Sequence, residues 1–182
     1  MSALLYSATM SLDGFIAGPG GDMSWLGDHL DDPSEPDAEI RELMASIGAL
    51  LIGNRTFRGD DPNQGTDAEG AFGGQWQGPS IVLTHDPPAE HTLRDTTFAT
   101  DLESAVRGAR QAAGGKRVNV LGADVARQCL EAGHLDEILV FVAPVLLGDG
   151  TRLFAHPGGT NVRLEPMREQ RGSAGLWYRV GR

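Results

Sequence analysis

Val118-Asn119-Val120-Leu121-Gly122-Ala123-Asp124 runs into Val125-Ala126-Arg127-Gln128-Cys129-Leu130. Asp136-Glu137-Ile138-Leu139-Val140-Phe141-Val142-Ala143-Pro144 then leads to Gly148-Asp149-Gly150. The first run is short, apolar and β-branched, the second repeats apolar residues at helical spacing, and the third is apolar again. This is strand, glycine turn, helix, strand: a βαβ unit, whose two strands run parallel and whose crossover is right-handed. The turn at Gly122 then falls at the carboxyl edge of the sheet, where ligands of open α/β folds bind.

Working outward, Leu4 to Met10 reads as a first buried strand, closed by the Asp13-Gly14 turn signal. A loop rich in Gly and Asp follows to about Pro36. It is too long for a simple connector and carries Trp25 and Leu26, so it reads either as a binding loop or as a loop whose tryptophan caps the core. Ile40, Leu43, Met44 and Ile47 have helical spacing, and Ala49-Leu50-Leu51-Ile52 is a second strand ending at Gly53. Residues 59–78 form a Gly-, Asp- and Gln-rich loop whose large apolar groups are Phe72 and Trp76. Ser80 to Thr84 is a third strand, stopped by Asp86-Pro87-Pro88. Asp101 is placed to cap a helix running to about Ala113. Val162 to Glu165 and Leu176 to Val180 suggest a C-terminal antiparallel hairpin about the turn 171–175. The expected fold is one α/β domain over 1–182, with a mixed, mostly parallel sheet and helices on both faces. Gly53, Thr84 and Gly122 end three strands on one edge of that sheet.

Composition narrows the function. The chain has 182 residues, 40% of them hydrophobic, and a formal charge of −10. Its single lysine, Lys116, and scattered arginines argue against a nucleic-acid partner. No stretch approaches the ~20 apolar residues of a membrane span, and Met1 to Tyr6 has no basic segment before an apolar one, so the expected location is cytoplasmic. Cys129, the only cysteine, lies on the apolar side of its helix and reads as a buried, inert thiol. The five histidines show no metal-binding spacing. Neither G-x-S-x-G nor a P-loop lysine pattern occurs, which weakens hydrolase and phosphoryl-transfer readings. Hydride transfer on a bound nicotinamide asks less of a protein: position, a dry site and one proton donor.

Gly122 lets backbone approach a phosphate at the amide end of a helix, or is a plain tight turn; without G-x-G-x-x-G it is no Rossmann fingerprint. Asp124 reads first as a cap for that helix. Arg55 and Thr56, after Gly53, read as phosphate-facing groups or as ordinary surface residues. Thr84 and His85 read as an adenosine contact or as a polar strand end. Asp13 is a turn aspartate bonding its own backbone, or an acid facing substrate.

Taken together, Ser11-Leu12-Asp13-Gly14-Phe15-Ile16-Ala17-Gly18, Leu51-Ile52-Gly53-Asn54-Arg55-Thr56-Phe57, Ile81-Val82-Leu83-Thr84-His85, the strand-glycine-helix at Gly122, and Leu135-Asp136-Glu137 through Leu147-Gly148-Asp149-Gly150 resemble the dihydrofolate reductase-like superfamily. The resemblance is to stand-alone relatives of the reductase domain at the C-terminus of the riboflavin-biosynthesis deaminase-reductase, and it covers nearly the whole chain.

The resemblance implies a three-layer α/β/α sandwich that binds NADPH and reduces a small pteridine-like or ribosylaminopyrimidine-like substrate. It implies that Ala8, Ile16, Ala17 and Trp25 meet the nicotinamide, with Asp13 and Trp25 as the candidate catalytic residues. Gly53, Asn54, Arg55 and Thr56 would hold the adenosine-side phosphates, Thr84 and His85 the 2′-phosphate or adenine, and Leu121, Gly122, Ala123, Asp124 and Val125 the pyrophosphate. It further implies a homodimer paired through the late strands. Ala123 and Asn54 stand where relatives often carry glycine and arginine. A second reading is therefore a dimeric NADP(H)-binding or sensing protein with the same fold and little turnover.

Overall fold

The computed structural model describes residues 1–28, 38–59, 70–89, 95–159, 161–167 and 175–181. The strands are β1 (Leu4–Ser11), β2 (Phe15–Ala17), β3 (Ile47–Gly53), β4 (Ser80–Leu83), β5 (Thr96–Ala99), β6 (Arg117–Leu121), β7 (Glu137–Ala143), β8 (Thr151–Arg152), β9 (Leu164–Pro166) and β10 (Gly175–Val180). The helices are α1 (Ala38–Ser46), α2 (Asn54–Arg58), α3 (Leu102–Ala112) and α4 (Ala123–Glu131). Eight strands form one sheet in the order β5-β4-β3-β6-β1-β7-β10-β9, and β2 with β8 forms a separate ribbon.

Strands β5 to β7 in that order run parallel, and β10 and β9 close the sheet antiparallel. Alternation along each strand builds two cores. Leu4, Tyr6, Leu51, Val118, Val120, Ile138 and Val140 face one side, under Val106 and Ala109 of α3 and Val125 and Cys129 of α4. Leu5, Leu50 and Leu139 face the other, under Leu43 of α1, with Phe72 and Trp76 packed beside them. Both faces are covered, which is why the central strands read as continuous apolar runs rather than alternating ones.

Asp101 caps α3 as its position suggests, its Oδ1 accepting from the Ser104 amide at 2.9 Å. Cys129 is fully buried, and burial pushes its thiol up to about 12, far from the range of a reactive thiolate. The expected hairpin is present as β9 against β10; residues 171–174 of its turn lie outside the described residues.

Three features differ from the sequence reading. β6 and β7 are parallel but are not neighbours, because β1 lies between them and pairs with both. β5 adds a parallel edge strand beyond β4, and the β2–β8 ribbon is new. The segment from Pro144 to Gly150 folds back onto the β1–β2 turn, a contact that the sequence does not announce.

Candidate active site

Strand pairing opens a crevice at the carboxyl edge. β1 pairs with β6 only as far as Tyr6 opposite Val120, whereas on its other side it follows β7 to Ser11 opposite Ala143. Beyond that point the two chains part to opposite faces of the sheet: β6 turns at Gly122 into α4 on one side, and β1 leads toward α1 on the other. Adjacent parallel strands whose connections leave on opposite faces create the crevice in which α/β folds bind ligands.

Two glycine turns wall this crevice. Gly53 and Gly122 immediately precede α2 and α4, and β3 and β6 are neighbours, so the two helices start side by side. A Cβ on Gly122 would lie 2.5 Å from Thr56 Oγ1, and one on Gly53 would lie 3.3 Å from Val125 Cγ1. Gly122 also has φ of 112°, which only glycine adopts without strain. Gly53, Thr56, Gly122 and Val125 are thus brought into one contact group, in which the Thr56 hydroxyl packs directly against the Gly122 backbone.

Charge completes the edge. The Asp124 side chain does not cap α4, contrary to its sequence reading: Gly122 is the N-cap residue and Asp124 sits inside the first turn, where its carboxylate accepts from Arg127 and Gln128, each at 2.8 Å. The Arg127 hydrogen bond is the main reason its carboxyl lies below the usual range, and Arg55, exposed at the start of α2, adds a smaller pull. Asn54 Oδ1 accepts from Arg58 Nε at 3.0 Å, and Arg58 Nη2 donates to the Asp86 carbonyl at 2.8 Å. That guanidinium ties α2 to the turn after β4, where Thr84 is buried and His85 exposed. Arg58 went unnoticed in the sequence, although its spacing of three from Arg55 on a helix was a readable signal.

Of the other expected residues, Ala8 lies in the half of β1 past its β6 pairing, with its methyl against the α3–α4 core. Ile16 and Ala17 are in β2, and Trp25 is half-buried in a short turn after it. Leu121 packs on the α1 side and Ala123 opens α4. Sequence reading missed the row Ser7 and Thr9 on the open face of β1, and Asn119 of β6 beneath it.

Asp13 is a clamp. Its carboxylate accepts from Ser11 Oγ at 2.6 Å, from the Leu147 amide at 3.1 Å and from the Gly148 amide at 2.7 Å. These bonds, the Ser11 hydroxyl first, hold its carboxyl down to about 2. The folded state therefore binds this proton less readily than the unfolded chain, whose carboxyl titrates near ~3.9. Stability from the clamp is full above that value and is lost as pH falls through about 2. Comparing thermal midpoints of wild type and Asp13→Asn should give a gap that is constant above about pH 5, starts to narrow below about pH 4 and is lost as pH falls through about 2.

A pocket of about 280 Å³ lies elsewhere, at the opposite end of the strands, between α1 and β10, lined by Glu39, Glu42, Arg117, Met167 and Trp177 among others. Arg117 and Trp177 there are committed to Glu137 at 2.9 and 3.1 Å. It contains none of the residues gathered at the crevice.

Fold and crevice together define an α/β protein of the dihydrofolate reductase-like class. The chain belongs to the RibD C-terminal domain family, whose model matches residues 3–178. It is 24% identical to the riboflavin biosynthesis protein RibD of Haemophilus influenzae over 79% of this chain and 47% of that protein, so it spans about half the length of this curated relative. Among solved structures, a Shewanella sp. PV-4 protein whose name links it to riboflavin biosynthesis superposes with a TM-score of 0.74 at 20% identity, over 99% of each chain. A deaminase/5-amino-6-(5-phosphoribosylamino)uracil reductase of Thermotoga maritima gives 0.65 at 18% identity, over 98% of this chain and 56% of that one. Among the described residues no helix is long and apolar enough to cross a membrane, and no group of His, Cys, Asp and Glu is arranged to hold a metal ion.

Proposed function

We propose that the protein is an NADPH-dependent reductase that transfers hydride to a small heteroaromatic substrate, pteridine-like or ribosylaminopyrimidine-like. The observation that carries this reading is the crevice between β1 and β6, with the helix starts at Gly53 and Gly122 on one wall and the open half of β1 on the other. The Gly122 turn suits a pyrophosphate, since helix-start amides offer donors and partial positive charge, and the Thr56 hydroxyl packed against Gly122 offers one more donor. Arg55 and Arg58, beside Thr84 and His85, suit the 2′-phosphate end. When bound, NADPH would supply the hydride; the protein orients it and excludes water. Arg55→Ala should weaken NADPH about tenfold and NADH about twofold, measured by titration of each; equal losses would remove Arg55 from 2′-phosphate recognition.

A second reading is a nucleotide-binding or sensing protein of the same fold with little turnover. It draws on Asp13, the candidate acid at the mouth of β1, which is ionised at neutral pH and occupied by three donors, so it is a poor proton source. NADPH binding without oxidation across pterins, dihydrofolate and ribosylaminopyrimidines would favour this reading; turnover of any of them would end it. Within either reading the protein is a cytoplasmic homodimer paired through its late strands, which sedimentation of the purified chain would test.

A further inference from the structure

Asn119 of β6 is fully buried, lies opposite Leu5 of β1 and Leu50 of β3, and faces the α1 side of the sheet with them. Its Oδ1 accepts from Ser7 Oγ at 2.8 Å, while its Nδ2 has no partner among the described residues. An apolar residue would serve this position better for stability, because a buried donor left unmet costs more than its bonded half returns. Such a cost within a core strand marks a group kept for function.

Ser7 is the exposed end of this pair. It sits on β1 just past the last β6 pairing, beside the crevice, and is half-buried with Thr9 next on the same face. Half-buried Leu121 and Phe141 flank this row with apolar surface. The Ser7 proton is committed to Asn119, so the hydroxyl turns its lone pairs, not its proton, toward a ligand.

We propose that Ser7 reads the polar edge of the reduced ring by accepting a ring N–H, and that Asn119 is the positioning residue that fixes the hydroxyl as an acceptor. The substrate class selected is a planar heteroaromatic lactam, whose ring N–H lies beside a carbonyl. The inference rests on the reductase reading above and adds the residues that choose the substrate.

Calorimetric titration with the cofactor site filled by NADP+ tests it, using lumazine (pteridine-2,4-dione) as the lactam probe and quinoxaline as a two-ring probe without N–H. Wild type should bind lumazine about tenfold more tightly than quinoxaline. Ser7→Ala and Asn119→Leu should each erase that preference while NADP+ binding stays in place, with a wild-type circular-dichroism melt for Ser7→Ala and a melt no lower than wild type for Asn119→Leu, and Ser7→Thr should keep the preference. No preference in wild type, or a preference that survives Ser7→Ala, overturns the proposal and leaves the reductase reading standing if NADP+ still binds. Failure of wild type to bind NADP+ brings down both. Should Asn119→Leu not fold, the Ser7→Ala and Ser7→Thr pair decides.

Discussion

Gly122→Ala should lower the thermal midpoint by roughly 4–24 °C and weaken NADPH at least about tenfold. Two costs add. At φ of 112° an L-residue is strained by about 1–3 kcal/mol. The new Cβ also lies 2.5 Å from Thr56 Oγ1, and overpacking of this kind costs about 1–3 kcal/mol more. A domain of this size loses about 2–4 °C per kcal/mol, which gives the range above. Adding Thr56→Ala should recover the overlap and not the backbone strain, so the double variant should melt between wild type and the single one. A double variant no more stable than Gly122→Ala would show that the hydroxyl contact contributes nothing.

Gly150→Ala should be at least as damaging. With φ of 132°, its Cβ would run into the Ala17 carbonyl oxygen and the Gly18 backbone, neither of which can rotate away as a side chain does. Expected destabilisation is about 3–5 kcal/mol, and the displaced strand is β2, which carries Ile16 and Ala17. NADPH affinity should therefore fall along with stability. Gly148→Ala is the control: it has φ of 77° but nothing within 4 Å of the added carbon, so it should cost only about 1–2 kcal/mol. Similar melts for the two variants would mean that close approach of Gly150 to β2 is unimportant.

Much of the fold was legible because local signals and global topology agree. β1, β3, β4, β6 and β7 are largely apolar runs bounded by Gly, Asp or Pro, and Asp101 announces α3. What was not legible is non-local. That β1 inserts between β6 and β7 depends on which strands meet, and all of these runs look alike. β5, Thr96-Thr97-Phe98-Ala99, is a half-exposed edge strand without clear alternation, and β8 is two residues long. Asp124 misled because acids at a helix start serve either as a cap or inside the first turn, and the register of Gly122 decides between them.

The site was legible in the same uneven way. Glycine turns declare themselves, so Gly53 and Gly122 stood out; in the structure Gly53 packs against Val125 and Gly122 against Thr56, which puts the two turns side by side. Ser7 and Asn119 lay hidden inside apolar runs, where a single polar residue has no period to break. Asp13 could be placed near the crevice but not assigned a task, because its three donors include two amides from residues 147 and 148, far along the chain.

The central claim is that the crevice between β1 and β6 holds a reduced nicotinamide dinucleotide phosphate. Titrating the protein's tryptophan emission with NADPH tests it most directly. The account predicts saturable quenching with energy transfer to the nucleotide, half-complete at micromolar concentration, and a shift to at least about tenfold higher concentration in Gly122→Ala. Unchanged emission up to millimolar NADPH, or wild-type binding retained in a folded Gly122→Ala variant, would contradict it.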